Sequence, residues 1–388
     1  MRKFTFIWFL LIFSLQLPGQ ESEGNITLNG YLTDMQTVMF SDVNKDWTID
    51  NLLHNRLNFH WYPSERISAS IQLRNRFIFG ETLAQVPGYA DAIGKSDGFA
   101  DFSFNLTSGD SYLLNLNIDR LWLQYSTGKL VITAGRQRIN WGQTFVWNTN
   151  DIFNAYSYFD FDYVERPGSD ALRLQFYPDY TSILEMAVKI DSLGKFTAAG
   201  LYRFNILSYD IQFIAGMLQE NDYLGGLGWS GNIGPAGFRG EGTYFHPMKN
   251  PADTSGLFIA SAGLDYTFEN SLFLQAEYLF SSNPSVSLAI LTGSVSSQLN
   301  VKQLAFTDHT LFASVSYPVT PLLQLTFAGM YFPELKGTFT GPSFSFNAFE
   351  NVDLGLFIQY FNAELPDDSG SKRRESLTLG YLRFKWNF

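Results

Sequence analysis

The chain has no cysteine, which excludes disulfides, thiolate metal sites and a lipidated N-terminal cysteine in one step. Charged residues are scarce, at 16% of 388. Histidine is scarcer: His54, His60, His246 and His309 have no ligand partner at helical spacing and no nearby cluster, so no metal site is expected. Long apolar runs are missing too. Beyond residues 4–17, nothing approaches the roughly 20 apolar residues of a spanning helix. A net charge of −11 argues against nucleic acid as a partner, because phosphate binding needs clustered basic surface. No cofactor is expected either. Gly226-Leu227-Gly228-Trp229-Ser230-Gly231 fits G-x-G-x-x-G, but a turn (Asn232-Ile233-Gly234-Pro235) follows where a dinucleotide site needs a helix.

The first residues set the compartment. Met1-Arg2-Lys3 is a basic head, residues 4–17 are apolar, and Pro18-Gly19-Gln20-Glu21 breaks the run. This reads as a secretory signal over residues 1–20, cleaved between Gly19 and Glu23. A buried N-terminal helix would fit poorly with the charged head and the abrupt polar exit. Residues 24–388 then form one domain, with no fixed-period repeat, low-complexity tract or linker.

What the chain does have is aromatic residues, 17% of the total with 37 Phe and 20 Tyr, dispersed rather than run together. Around residues 66–80, Ile67, Ala69, Ile71, Leu73, Phe77 and Phe79 share one parity, and Ser68, Ser70, Gln72, Arg74 and Arg76 the other. Period two means a strand with one apolar and one polar face. Eighteen such segments run from 26–40 to 374–388, many of them long enough to cross a bilayer at a tilt. The connections alternate short and long: Pro63-Ser64-Glu65, Ser126-Thr127-Gly128 and Glu269-Asn270 against 41–50, 81–110, 139–169 and 282–308. Outer-membrane barrels pair short periplasmic turns with longer external loops. The expected fold is therefore all-β, a transmembrane antiparallel β-barrel of 16–18 strands (best count 18) with both termini periplasmic. Its solvent is outer-membrane lipid. Aromatics at strand ends, such as Trp61, Tyr125, Tyr317 and Tyr331, would form the interfacial girdles.

The last strand carries a local signal. Leu382, Phe384, Trp386 and Phe388 share a face, with Arg383, Lys385 and Asn387 opposite. It resembles the C-terminal strand by which outer-membrane proteins engage the barrel-assembly machinery; an ordinary amphipathic edge strand is the plainer explanation.

The candidate site residues are charged. Seven of fifteen arginines fall between residues 74 and 173, and Arg74, Arg76, Arg138 and Arg173 should face a lumen. Arg136 shares parity with Leu130 and Ile132, so it needs a bulge near Gly135 or a rim position to join them. Charge rings set the ion preference of a pore. The plainer reading pairs these arginines with nearby acids for solubility alone. Between the fifth and sixth strands, residues 139–169 bring Asp151, Asp160, Asp162 and Glu165. Folded inward, they would set carboxylates against the arginine wall; left outside, their aromatics would pack on one another. Thr149-Asn150-Asp151 also offers an N-cap for a short helix through Ala155.

Gly135-Arg136-Gln137-Arg138-Ile139-Asn140-Trp141-Gly142, the run 148–154 and Gly168-Ser169-Asp170 resemble the signature of a bacterial outer-membrane porin-like family. That family is broadly similar to alginate-export and phosphate-selective porin barrels. The resemblance covers residues 121–176 and implies a channel without naming its substrate. Together these readings point to passive diffusion of small hydrophilic solutes, including anions, and leave room for a homo-oligomer. Two alternatives stand beside it: a closed barrel presenting loops 81–110 and 282–308 as an adhesin or scaffold, and a barrel hydrolase using His309.

Overall fold

A computed structural model describes residues 24–159, 165–284, 300–366 and 371–388. The signal reading over residues 1–20 lies outside the described residues, as do Asp160, Asp162 and most of loop 282–308. Nearly every described segment is strand. In order they are β1 (Ile26–Phe40), β2 (Thr48–Ser64), β3 (Ile67–Gly80), β4 (Ser103–Gly109), β5 (Tyr112–Thr127), β6 (Leu130–Gln137), β7 (Ser169–Phe176), β8 (Ile183–Ile190), β9 (Phe196–Ile206) and β10 (Tyr209–Leu218). There follow β11 (Asp222–Ile233), β12 (Ala236–Pro247), β13 (Leu257–Thr267), β14 (Phe273–Ser281), β15 (His309–Thr320), β16 (Leu323–Phe332), β17 (Gly337–Phe349), β18 (Val352–Pro366) and β19 (Lys372–Asn387).

All the pairings between these strands are antiparallel neighbour pairings, and β1 also pairs with β19, from Tyr31↔Asn387 to Phe40↔Thr378. The sheet therefore closes, and closure removes the unpaired edges that lipid would not tolerate. Eighteen strands make the wall. The nineteenth, β4, pairs only with the upper half of β5, along the edge that the eight-residue β6 does not reach. A bridge between Gly98 and Asp191 carries this patch across to the start of the β8–β9 turn. β1 begins and β19 finishes at the end of the barrel that holds the short turns.

Side-chain alternation places apolar residues outside. Leu172, Leu174 and Phe176 on β7 are exposed, as are Leu311 on β15, Phe327 on β16, and Leu354, Leu356 and Ile358 on β18. Girdle aromatics such as Trp61, Tyr62, Tyr125, Tyr317 and Tyr331 are exposed toward the strand ends. Among the described residues, no helix is long and apolar enough to cross a membrane. The chain is a transmembrane β-barrel of the outer-membrane type. On β19, Leu382 and Phe384 face outward, while Arg383 stacks on the Phe357 ring and Lys385 lies 4.1 Å over Tyr31.

Two local features depart from simple alternation. The β3–β5 register slips between Gln72 and Leu73, so Asp119 and Arg120 form a bulge on β5 and both are buried. The expected bulge at Gly135 is not there: the β5–β6 ladder runs through it without a shift. Gly135 has φ +110°, and a Cβ there would stand 2.3 Å from the Leu121 carbonyl oxygen, so only glycine fits. Loop 81–110 also has structure of its own. Helices α1 (Glu81–Gln85) and α2 (Tyr89–Ile93) pack Leu83, Tyr89 and Ile93 onto Leu52, Ile78 and Leu113. This loop folds into the mouth rather than standing out from it.

Candidate functional site

The interior is organised by residues 138–159, which leave the wall after β6 and fold into the lumen. Their apolar side chains Ile139, Trp141, Val146, Trp147, Ile152, Phe153 and Phe159 join a single buried cluster with wall residues from β7 to β19. Trp147 meets the Phe312 ring edge-on at 6.2 Å, and Phe159 meets Phe339 and Phe361 at 5.1 and 5.0 Å. Burying this many aromatic surfaces supplies the main drive for the inward fold.

Direction comes from carboxylates. Glu277 on β14 accepts the backbone N–H groups of Phe145, Val146 and Trp147 at 3.2, 3.1 and 2.8 Å. Glu241 on β12 accepts those of Gln143 and Asn150 at 2.5 and 3.0 Å. Glu185 on β8 takes the Trp141 indole N–H at 2.6 Å and a bidentate pair from Arg173 at 2.6 and 2.8 Å. Three buried wall glutamates thus hold one irregular segment whose N–H groups have no ladder partner. The short helix expected from Thr149-Asn150-Asp151 does not form: residues 149–155 stay irregular, with the Asn150 N–H donating to Glu241. The glycine motif on β11 has its explanation here as well. A Cβ at Gly226 or Gly228 would press on the Asn150 side chain at 2.8 or 3.0 Å, and Asn150 Nδ2 donates to the Leu227 carbonyl.

Opposite the folded loop stands a basic wall on β2, β3 and β5. Arg56, fully buried, donates to Asp119 Oδ2 at 2.5 Å, Gln72 Oε1 at 2.6 Å and Asn58 Oδ1 at 2.9 Å. Arg74 Nε lies 3.7 Å from the same Asp119 oxygen. From the loop side, Glu165 stands 3.8 Å from Arg56 Nε and accepts the Tyr31 hydroxyl at 3.1 Å. Arg120 ties the loop back by donating to the Glu165 and Arg166 carbonyls at 2.6 and 2.8 Å. The bulge makes this knot, since it turns Asp119 and Arg120 inward together.

The expected lining residues therefore divide. Arg76, Arg138 and Arg173 face the interior and remain partly open to solvent. Arg76 donates to Asn115 at 2.9 Å, and Arg138 keeps a shielded Nε without a hydrogen-bond partner. Arg74 is in the knot and buried. Arg136 is not a lining residue: it is 4% exposed, bidentate to Asp170 at 2.6 and 2.8 Å, bonded to the Ala100 carbonyl and stacked under Phe102. It seals the wall where β6 ends. Asp151 is wholly buried, not exposed to a pore. Arg56, Asp119, Glu185, Glu241 and Glu277 escaped sequence reading, although parity on β2 and β12 marks Arg56 and Glu241 as inward charges.

Burial pushes the Asp151 carboxyl up to about 7, while the Arg138 charge and the nearby Trp141 and Asn154 N–H groups pull it partly back. Neither oxygen has a well-formed hydrogen bond. A carboxyl raised above its unfolded value of about 3.9 favours the folded loop in its protonated form, and that contribution is lost as pH rises through 7. Asp151→Asn is expected to flatten the pH dependence of barrel stability between pH 4 and 7 and to raise stability at pH 8 by a few kcal/mol. Urea unfolding of folded barrels across that pH range measures it; parallel curves for both proteins would count against the assignment.

No protein-family model and no curated protein matches the sequence. Solved structures match its fold. OpdQ of Pseudomonas aeruginosa aligns with TM-score 0.59 at 8% identity, covering 94% of this chain and 97% of that one. OccK8 (OprE) of the same organism gives 0.57 at 8%, covering 94% and 98%. OccAB4 of Acinetobacter baumannii gives 0.56 at 11%, covering 96% and 100%. The fold is that of these outer-membrane porin barrels.

Proposed function

We propose that the chain is a passive outer-membrane channel for small hydrophilic solutes, with anions favoured. The observation that carries this reading is the division of the lumen. Part of it is filled by an anchored apolar loop, and around that loop Arg76, Arg138 and Arg173 face the interior partly solvated, Arg173 paired with Glu185. Rings of guanidinium in a narrow passage lower the energy of an anion there and raise that of a cation. Planar bilayers test it: discrete conductance steps are expected, and a correctly folded barrel with none would end the channel reading. Under a salt gradient, Arg76→Ala with Arg138→Ala should move the reversal potential toward cations by tens of millivolts; no movement would remove both from the ion path.

The short-turn end, with both termini, is read as periplasmic, and Leu382, Phe384, Trp386 and Phe388 as the strand presented to the assembly machinery. Phe388 also closes the barrel, exchanging backbone hydrogen bonds with Gly30 at 2.8 and 2.9 Å. Deleting Phe388 should lower the heat-modifiable, membrane-assembled fraction several-fold; undiminished assembly would refute the signal. The adhesin reading loses support because α1 and α2 fold into the mouth. The hydrolase reading loses its histidine: His309 is exposed beside outward Leu311, bonded to the Tyr278 hydroxyl at 2.7 Å and next to Phe280.

A further inference from the structure

Between the Arg56–Asp119 knot and the short turns, the inner face of the same wall changes character. Ser68 stands opposite Gln124 and Ser70 opposite Trp122 in the β3–β5 ladder, and Gln124 stands opposite Thr133 in the β5–β6 ladder. Ser70 and Thr133 are buried while neighbouring Ile71, Leu121 and Leu123 are exposed outward, so these five side chains share the inner face. The inward positions of residues 68–72, 122–126 and 131–133 hold no lysine, arginine, aspartate or glutamate. Trp122 is half-buried, and among the described residues its ring meets no other ring and its indole N–H no acceptor. Trp141 and Trp147 differ, since their rings pack on Phe153 and Phe312. Gly135, the ladder neighbour of Trp122, has no side chain to cover the indole. Gln124 is lightly engaged, at 3.3 Å to both Thr133 and Ser126, and its amide keeps a further donor and acceptor. Beside it opens a cavity of about 530 Å³ lined by Ser64, Ser68, Gln124 and Ser126, with charge only in the turn, on Glu65 and Arg66. Small-molecule sites have volumes of roughly 300–1,000 Å³.

We propose that this strip is a subsite for neutral saccharides in the short-turn half of the lumen. A pyranose has an apolar C–H face and an edge of hydroxyls. The open indole of Trp122 matches the face, because an aromatic ring offers large contact area at little entropic cost. The edge needs groups that both donate and accept, as a sugar hydroxyl does, and Ser68, Gln124 and Ser126 are of that kind. A zwitterion or an ion would need fixed charges, which the strip lacks. Saccharide binding goes beyond the anion preference, since Arg76 and Arg138 do not sort an uncharged solute. It rests on the channel reading only for how the solute arrives.

Maltotriose and cellotriose are the probes, with a polyethylene glycol of similar size as the control. Calorimetric titration of folded barrels, in a detergent without sugar headgroups, is expected to show saturable binding of at least one trisaccharide and none of the glycol. Trp122→Ala should weaken that binding at least ten-fold and Gln124→Leu at least three-fold, while Trp122→Phe keeps most of it. Heat-modifiable migration and the reversal potential should stay as in wild type. Gln124→Leu, which keeps the indole, decides the matter if Trp122→Ala does not fold. In bilayers the bound trisaccharide should interrupt the ion current. Folded barrels that bind neither trisaccharide, that bind the glycol equally, or whose binding survives both replacements would overturn the subsite. Barrels that bind the sugar at Trp122 yet conduct no ions would keep the subsite and end the channel reading instead.

Discussion

Replacing both Glu241 and Glu277 with alanine is expected to raise single-channel conductance several-fold and to expose residues 138–159 to protease. Five backbone N–H groups depend on these two carboxylates. Each buried donor left unsatisfied costs about 1–3 kcal/mol, so the double replacement removes on the order of 5–10 kcal/mol from the seated loop. The apolar cluster remains, and Trp141 stays tied to Glu185. The loop should therefore loosen from its middle outward while the wall stays closed. Glu277→Gln makes the control sharper. It keeps one acceptor oxygen but puts an amide donor where donors already point, so an effect between wild type and alanine is expected. Equal conductance in all three proteins would show that these carboxylates do not hold the occluding segment.

That anchoring also marks where sequence reading stops. Period-two alternation placed the wall, because lipid on one side and water on the other impose it residue by residue. The inward direction of Arg173 came from parity, and the count of eighteen from that alternation together with the alternating short and long connections. The loop's course did not, because the three glutamates that accept from it lie 44 to 132 residues away along the chain. Aromatics that pack inward look the same in sequence as aromatics that pack on themselves. The bulge at Asp119–Arg120 is equally silent, since one extra residue in a strand changes no composition. Arg136 was misplaced for a different reason. It keeps its parity with Leu130 and Ile132, standing opposite Asp170 in the regular β6–β7 ladder and under the segment that completes the wall. The sequence-level signal that could have helped is an inward carboxylate such as Glu241, on a glycine-rich strand, which must find its donors elsewhere.

Arg56→Met should both destabilise the barrel and shift its ion preference toward cations. Arg56 lies wholly buried between Asp119, Gln72, Asn58 and Glu165, and it is the closest cation to Asp119. Removing one partner of a buried pair costs about 3–5 kcal/mol, because the remaining charge stays out of water. Within the knot, Arg56, Arg74 and Arg120 stand with Asp119 and Glu165, so loss of Arg56 removes one of three positive charges and leaves Asp119 without its nearest cation. Asp119→Asn should move the reversal potential the other way. Arg56→Lys separates the two effects: the charge is kept, but the planar fork that reaches three partners is lost. Its expected outcome is lower resistance to urea with nearly wild-type selectivity. If Arg56→Met unfolds earlier yet leaves the reversal potential unchanged, the knot is a fastening of loop to wall, and permeating ions pass along Arg76 and Arg138 instead.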